Sequence, residues 1–361
     1  MPRDFLPLQG IKVVDVSHVI AGPFATFQLA QMGADVLKIE HIDGGDVMRR
    51  SAKGAKAFAA LNAGKKKLRL DIKAPGDRER IVALAREADV FVDNLRPGVL
   101  EAKGLGYEAL AAVNPRIVYC SISGFGRASG GRPAYDHVLQ GATGMTMATG
   151  NAGDPPTKIG FPLIDIGAGM LAALAIVSGL RERDRTGRGM LLDVSLAGAA
   201  LQLMYPMTCE ALTEGIEPVR TGSQAFSGSP AADLFAARDG GWIAIAANTP
   251  RQFASLLAVL DLAHLAQDPA LFDPPLDADA PAGFLRARAA NALKAILRER
   301  LAKLDAADME AQLTAARVPA AQIKTLAEFA RAADRAGTLA SVTLQDEGVS
   351  VRSPGLGFKV L

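Results

Sequence analysis

The chain has 361 residues, of which 40 are Lys or Arg and 38 Asp or Glu, for a formal net charge of +2. An apolar content of 49% excludes a disordered chain. The near-neutral balance supplies no general field for nucleic acid or an anionic membrane. The length points to about two domains.

"MPRDFLPLQG" lacks the apolar stretch of a signal peptide. "IKVVDVS" (11–17) reads as a strand, "GPFATFQLAQMG" (22–33) as a helix ending at Gly33, and "ADVLKIEHI" (34–42) as a second strand. This β-α-β unit implies parallel strands and a right-handed crossover. The pattern continues with helix 78–88, strand 89–95, helix 107–114 and strand 116–123, then the Gly-rich loop "GFGRASGGRP". Helix 166–183 and strand 191–196 follow. Its apolar run, Ile166 to Leu180, is shorter than the roughly 20 residues needed to span a bilayer, and reads as a buried core helix. A hairpin is predicted over 234–248, turning at "RDGG". A helix follows in "PRQFASLLAVL", then a Pro- and Asp-rich loop at 268–283 and a long amphipathic helix over 284–304. The tail from 341 carries strand-like pieces.

These elements predict an α/β protein. Its large domain is Rossmann-like and doubly wound, formed by 1–205 with 323–361; a linker spans 206–224, and a smaller α+β domain spans 225–322. Cys120 and Cys209 lie far apart in sequence, which argues against a disulfide framework and for a reducing, cytoplasmic setting.

Common catalytic motifs are missing: there is no G-x-S-x-G, H-E-x-x-H, C-x-x-C or P-loop, and the first β-α turn, "SHVIAGPFA", lacks G-x-G-x-x-G. With four scattered histidines, a metal site is not expected. Basic residues cluster at Lys65, Lys66, Lys67, Arg69 and Lys73, and Arg96 stands at the end of a strand. That segment is either a solvated charged loop or a seat for a phosphate-rich ligand such as coenzyme A or a nucleotide. In "GFPLIDIGAG" (160–169), Asp165 is one carboxylate in an apolar block, where an unpaired charge is costly. It reads as a helix N-cap, as a nucleophile, or as both, since the positive end of a helix favours an ionised carboxylate. Gly167 and Gly169 either leave room for a ligand or allow close packing.

The blocks "PLQGIKVVDVSHVIAGPFATFQLAQMGADVLKIE", "LRLDIKAPGD", "VDNLRPGVLEAKGLGYEAL", "NPRIVYCSISGFG", "RPAYDHVLQGATG", "RTGRGMLLDVSL" and "ARVPAAQIKTLAEF" occur in an order that closely resembles the family III CoA-transferases of the CaiB/BaiF type. That group includes formyl-CoA transferase, carnitine CoA-transferase and α-methylacyl-CoA racemase. The resemblance implies an interlocked, ring-like homodimer. It implies acyl-CoA and a small carboxylic acid as substrates, with no permanently bound cofactor and neither nucleic acid nor membrane as partner. It carries a nucleophilic role onto Asp165, with Tyr135 and Asp136 beside the reaction centre. It assigns CoA contacts to Val19, Ile20, Ala21, His41, Leu70, Asp71, Ile72, Lys73, Asn94, Leu95, Arg96, Lys103 and Arg132. Ile20 replaces a glutamine of formyl-CoA transferase, and Ala102, beside Lys103, replaces a common arginine. The nearest counterpart of the glycine-rich flap is "GSQAFSGSP" (222–230). Two alternatives use the same fold: a 2-methylacyl-CoA racemase, which needs a base on each side of the α-carbon, and a CoA-binding protein without turnover. Against the racemase, Tyr135-Asp136 stands where a His-Asp pair would be required.

Overall fold

The computed structural model describes residues 5–51, 53–225, 227–280, 283–338 and 341–360. The chain forms two compact units, one of residues 1–148, 156–218 and 333–361, the other of 149–155 and 219–332.

The first unit opens with β1 (Lys12–Asp15), α1 (Ala21–Gln31), β2 (Asp35–His41), α2 (Gly54–Asn62), β3 (Lys66–Leu70), α3 (Pro75–Glu87), β4 (Val90–Asp93) and α4 (Tyr107–Val113). It continues through β5 (Val118–Ser123), α5 (Asp136–Ala142), α6 (Met145–Ala148), α7 (Leu163–Thr186), β6 (Met190–Ser195), α8 (Leu196–Leu203) and α9 (Tyr205–Glu214). The strands form one sheet in the order β3-β2-β1-β4-β5-β6, every neighbour parallel. The order reverses between β1 and β4, which makes a doubly wound α/β sheet with its switch point there.

The central strands are apolar on both sides, as a sheet covered by helices on both faces requires. Val90, Val92, Val118, Cys120 and Ile122 join α1, α7 and α8 in one core. The alternate residues Phe91, Ile117 and Tyr119 join α3 and α4 in the other.

Helix α7 is longer than the sequence reading of 166–183. It begins at Leu163 and ends where Gly187 takes the left-handed conformation, φ 75°, that closes helices without steric cost. Its 24 residues are long and apolar enough to cross a bilayer by length and composition alone. Here one side of it lies on α1, β5 and β6. The other side exposes Met170, Leu174 and Val177, one helical stripe.

The second unit contains β7 (Ala232–Ala236), β8 (Trp242–Ala246), α10 (Pro250–Val259), α11 (Ala290–Leu301), α12 (Ala306–Ala315) and β9 (Ala320–Gln322). The strands form an antiparallel sheet in the order β7-β8-β9, with its own core around Phe235, Phe253, Leu256 and Leu297. The predicted hairpin is present. The helix predicted over 284–304 is shorter than that, Ala290–Leu301, because Leu285 instead hydrogen-bonds to Asn248 and Arg288 to Leu271. The segment 222–230, described apart from residue 226, is tied within this unit, Gly222 N donating to Gly150 O and the Ser223 hydroxyl to Asp233.

After α13 (Leu326–Arg335), the hairpin of β10 (Val342–Asp346) and β11 (Val349–Ser353) belongs to the first unit and packs on α2. Arg49 bonds Glu347 at its turn and Lys67 pairs with Asp346.

Candidate active site

A parallel sheet places the C-terminal ends of all its strands on one edge, and the helix crossing from β5 to β6 starts at that edge. Val19, Ile20 and Ala21 follow β1, while His41 ends β2. Leu70 to Lys73 end β3, Asn94 to Arg96 follow β4, and Arg132, Tyr135 and Asp136 follow β5. Asp165 lies in the first turn of α7. All of these positions therefore share the edge where open α/β sheets hold ligands.

At the switch point the turn after β1 is clamped to the loop after β4. Asn94 accepts from His18 N at 2.8 Å and donates to His18 O at 2.7 Å. The amide of Asn94 is thus engaged in holding the two loops together. Burial holds the His18 imidazole below its ordinary pKa, which favours the neutral ring. Val19 sits at φ 70°, a region a β-branched residue enters only at a cost of about 1–3 kcal/mol, and such strain gathers at functional sites.

Two cavities open here. One of about 390 Å³ is lined by His18, His41, Leu70, Ile72 and Leu95, together with Lys38, Asp46 and Arg50. The other, about 300 Å³, is lined by His18, Asn94, Leu95, Arg96, Arg132 and Tyr135. They share His18 and Leu95. Val19, Ile20, Ala21, Asp71, Lys73, Lys103, Asp136 and Asp165 line neither of these two. Asp71 instead shapes the turn into α3, accepting from Lys73 N at 2.8 Å. The Arg132 guanidinium lies 4.1 Å over the Phe125 ring.

Asp165 is not the N-cap of α7. That position is Pro162, which has no capping side chain. The cap comes from α5: Oδ2 of the buried Asp136 accepts from Ile164 N at 2.7 Å and Asp165 N at 3.1 Å, while Oδ1 accepts from Gln140 Nε2 at 2.7 Å. Asp136 therefore satisfies two of the orphan donors every helix start exposes. The Asp165 carboxylate is left half-buried, and among the described residues it forms no ion pair. Burial first, and the Asp136 charge second, push its pKa up to about 6.

One turn along α7 on the same face, a methyl group at Gly169 would lie within 2.7 Å of Ala21 O. Close packing is thus what Gly169 supplies. It brings the start of α1 against the face that carries Asp165, about 6 Å away along the axis. Gly167 has the same function toward Leu203, whose Cδ1 would meet a methyl at 2.9 Å.

The basic segment is neither a solvated loop nor one patch. Residues 66–70 form β3, an edge strand on which Lys66 and Arg69 are exposed, and charge there discourages further strand pairing. Lys65 is buried against Asp15 (3.1 Å), Lys66 pairs with Asp35 (2.8 Å) at the opposite end of the sheet, and Lys67 pairs with Asp346. Lys73 follows the end of β3, at the carboxyl edge.

Lys38, Glu40 and Asp46 also line the larger cavity, and none of them is among the positions expected from the sequence. Lys38 and Glu40 lie two apart in β2, both buried on one face. Opposite charges alternating through an apolar strand were the available signal. Among the described residues no cluster of three His, Cys, Asp or Glu could hold a metal.

A doubly wound domain with a half-buried carboxylate at the carboxyl edge defines the class of site. The sequence profile described as CoA-transferase family III matches residues 8–360. The chain belongs to that family. It is 35% identical to the acetyl-CoA:oxalate CoA-transferase of Acetobacter aceti, over 98% of this chain and 89% of that protein. It is also 35% identical to the human succinyl-CoA:glutarate CoA-transferase, over 72% of this chain but only 60% of that one. Among solved structures, a CaiB/BaiF family protein from Brucella suis superposes with a TM-score of 0.80 at 33% identity, covering 95% of this chain and 90% of that chain.

Proposed function

We propose that this protein moves coenzyme A from an acyl-CoA to a small carboxylic acid, with Asp165 as the covalent nucleophile. The observation that carries the reading is a carboxylate half-buried at the start of α7, without an ion pair among the described residues, and one helical turn from Gly169, which packs on Ala21 at the start of α1. The Asp165 carboxylate attacks the thioester carbonyl, the C–S bond breaks, and a mixed anhydride and CoA thiolate result. The thiolate attacks the Asp165 carbonyl carbon, releasing the first acid and leaving an aspartyl-CoA thioester. The acceptor carboxylate attacks that thioester, and the steps run in reverse to return the Asp165 carboxylate. An anhydride keeps the reactivity of a thioester, so no other energy source is consumed.

In this reading the larger cavity takes the CoA nucleotide through His41, Leu70 and Ile72, and Lys73, Arg96, Lys103 and Arg132 supply positive charge. Val19, Ile20 and Ala21 face the thiol end, and Tyr135 orients the acid. Asp136 is a positioning residue. The relatives are named for oxalate, glutarate and mesaconate, so short dicarboxylates are the first acceptors to try. The exposed stripe on α7, with Leu201, Leu203 and Leu212 on and after α8, favours a second copy as partner, checked by a sedimentation mass of two chains.

Lys73→Ala and Arg96→Ala are each expected to raise KM for acyl-CoA severalfold while kcat changes less, the signature of lost uniform binding. The difference from wild type should narrow with added salt, since exposed charges are screened over about 8–10 Å at ordinary ionic strength. Steady-state kinetics at two ionic strengths check this.

The deciding experiment follows oxygen and hydrogen together. Oxygen-18 from a labelled acceptor carboxylate should enter Asp165, because an anhydride shares one oxygen between two carboxyl groups. A 2-methylacyl-CoA in heavy water should gain no enzyme-dependent α-deuterium. Rapid α-deuteration without label in Asp165 would install the racemase instead.

A further inference from the structure

Beneath the turn at Val19 lies a pair of buried charges that takes part in no bond-making step of the proposed transfer, although both residues also line the larger cavity. The Lys38 side chain is fully buried on β2; its ammonium donates to Ser17 O at 2.7 Å and pairs with Asp46 Oδ2 at 3.1 Å. The other oxygen of Asp46 accepts from Val19 N at 3.3 Å and Met48 N at 2.9 Å. Asp46 N in turn donates to Glu40 Oε2 at 2.9 Å, and Arg49 grips both oxygens of Glu40 at 2.7 Å. The two residues that bracket His18 are thus both tethered, Ser17 through its carbonyl and Val19 through its N–H. Both tethers end on the Lys38–Asp46 pair.

A buried ion pair is a poor stabiliser, because desolvating two charges offsets their attraction. Its usefulness lies in direction. Left alone, a valine leaves φ 70° for the ordinary negative region, and the start of α1 would move with it. That start is the backbone packed against Gly169, one turn from Asp165.

We propose that Lys38 and Asp46 are positioning residues: together they hold Val19 in its left-handed conformation and so set the wall that faces the reacting carboxylate. This rests on the reading of Asp165 as the reacting group, but its test compares rates between backgrounds and does not require the covalent intermediate to be seen. If Asp165 variants kept full activity, the chemical reading would fail while this comparison remained interpretable.

The experiment is a double-mutant cycle on the full chain. Lys38→Met with Asp46→Leu replaces the pair by apolar groups of similar size, so that neither charge is left buried alone. Val19→Gly removes the strain, since glycine takes positive φ freely. With Val19 in place, loss of the pair should lower kcat tenfold or more and change KM for acyl-CoA less than kcat, while the melting temperature falls alike in both backgrounds, because Val19 N and Met48 N lose their acceptor. In the Val19→Gly background the same replacement should lower kcat less than threefold. Should the double replacement not fold, Lys38→Gln with Asp46→Leu serves in the same cycle: the glutamine amide can still donate to Ser17 O, neither charge is left, and Val19 N loses its acceptor. Equal losses of kcat in both backgrounds would overturn the proposal. So would a kcat within twofold of wild type, or a loss confined to KM for acyl-CoA, which would make Lys38 and Asp46 substrate contacts instead.

Discussion

Asp165→Ala is expected to abolish CoA exchange, a fall of about 10⁴-fold or more in kcat, as when a covalent nucleophile is removed. CoA affinity should stay within severalfold of wild type, because Asp165 lines neither the cavity assigned to the nucleotide nor the one beside it. With donor acyl-CoA present, hydroxylamine should convert Asp165 of the wild type to a hydroxamate, visible by peptide mass. The pH dependence has a definite sign. The nucleophile is the carboxylate and its pKa is raised to about 6, so kcat/KM should climb with pH through about 6 and level off above it. Stability runs the other way. Between the ordinary value of 3.8 and about 6, the folded protein holds a proton that the unfolded chain has lost, so stability falls as pH rises across that window. Asp165→Asn removes the charge, and should melt higher than wild type at pH 8 and no higher at pH 3.5. A variant that is dead yet more stable would mark Asp165 as kept for chemistry. Near wild-type turnover in Asp165→Ala would end the proposed mechanism.

The second large effect is expected at Asp136, which reacts with nothing in the proposed sequence. Asp136→Ala leaves Ile164 N and Asp165 N without their acceptor, at a cost of about 1–3 kcal/mol for buried unpaired donors. The first turn of α7 should loosen, and kcat should fall about 10²-fold, the scale associated with misplacing a reacting group by 1 Å. Asp136→Asn separates charge from shape. Its carbonyl oxygen can still cap α7, but the negative charge that helps raise the Asp165 pKa is gone. The acid limb of the rate profile should therefore move below about 6, with a milder loss of kcat. Calorimetry of both variants and pH–rate profiles of Asp136→Asn test the two parts separately. An acid limb unmoved in Asp136→Asn would show that burial alone sets the Asp165 pKa.

Much of this was legible in the residues. The alternation of apolar strands with helices announced the doubly wound sheet, and the strand ends located the edge where the candidate site lies. What was not legible depended on residues far apart in sequence. Nothing local to "LIDIGAG" tells that Asp136, 29 residues earlier, supplies the cap that Asp165 was expected to be. The run of lysines at 65–67 looked like one patch because sequence proximity hides the pleat. Successive residues of an extended strand point to opposite sides, and each lysine met a different acid. Lys38 was overlooked for a related reason. A charge inside an apolar strand is visible, but the carbonyl and carboxylate that justify its burial come from two other loops.

The hairpin of β10 and β11 has a consequence for how the protein is made. Glu347 holds Arg49, Arg49 holds Glu40, and Glu40 receives Asp46 N. Every strand of the parallel sheet has left the ribosome by Ser195, but Glu347 emerges about 150 residues later, on the order of 10–30 s at ordinary rates of synthesis. During that interval the nascent sheet carries the loop from 43 to 50 without its outer clasp, while the second unit is being built from the intervening chain. Quality control that inspects the chain while it is still attached would meet a sheet that is finished and a ligand edge that is not.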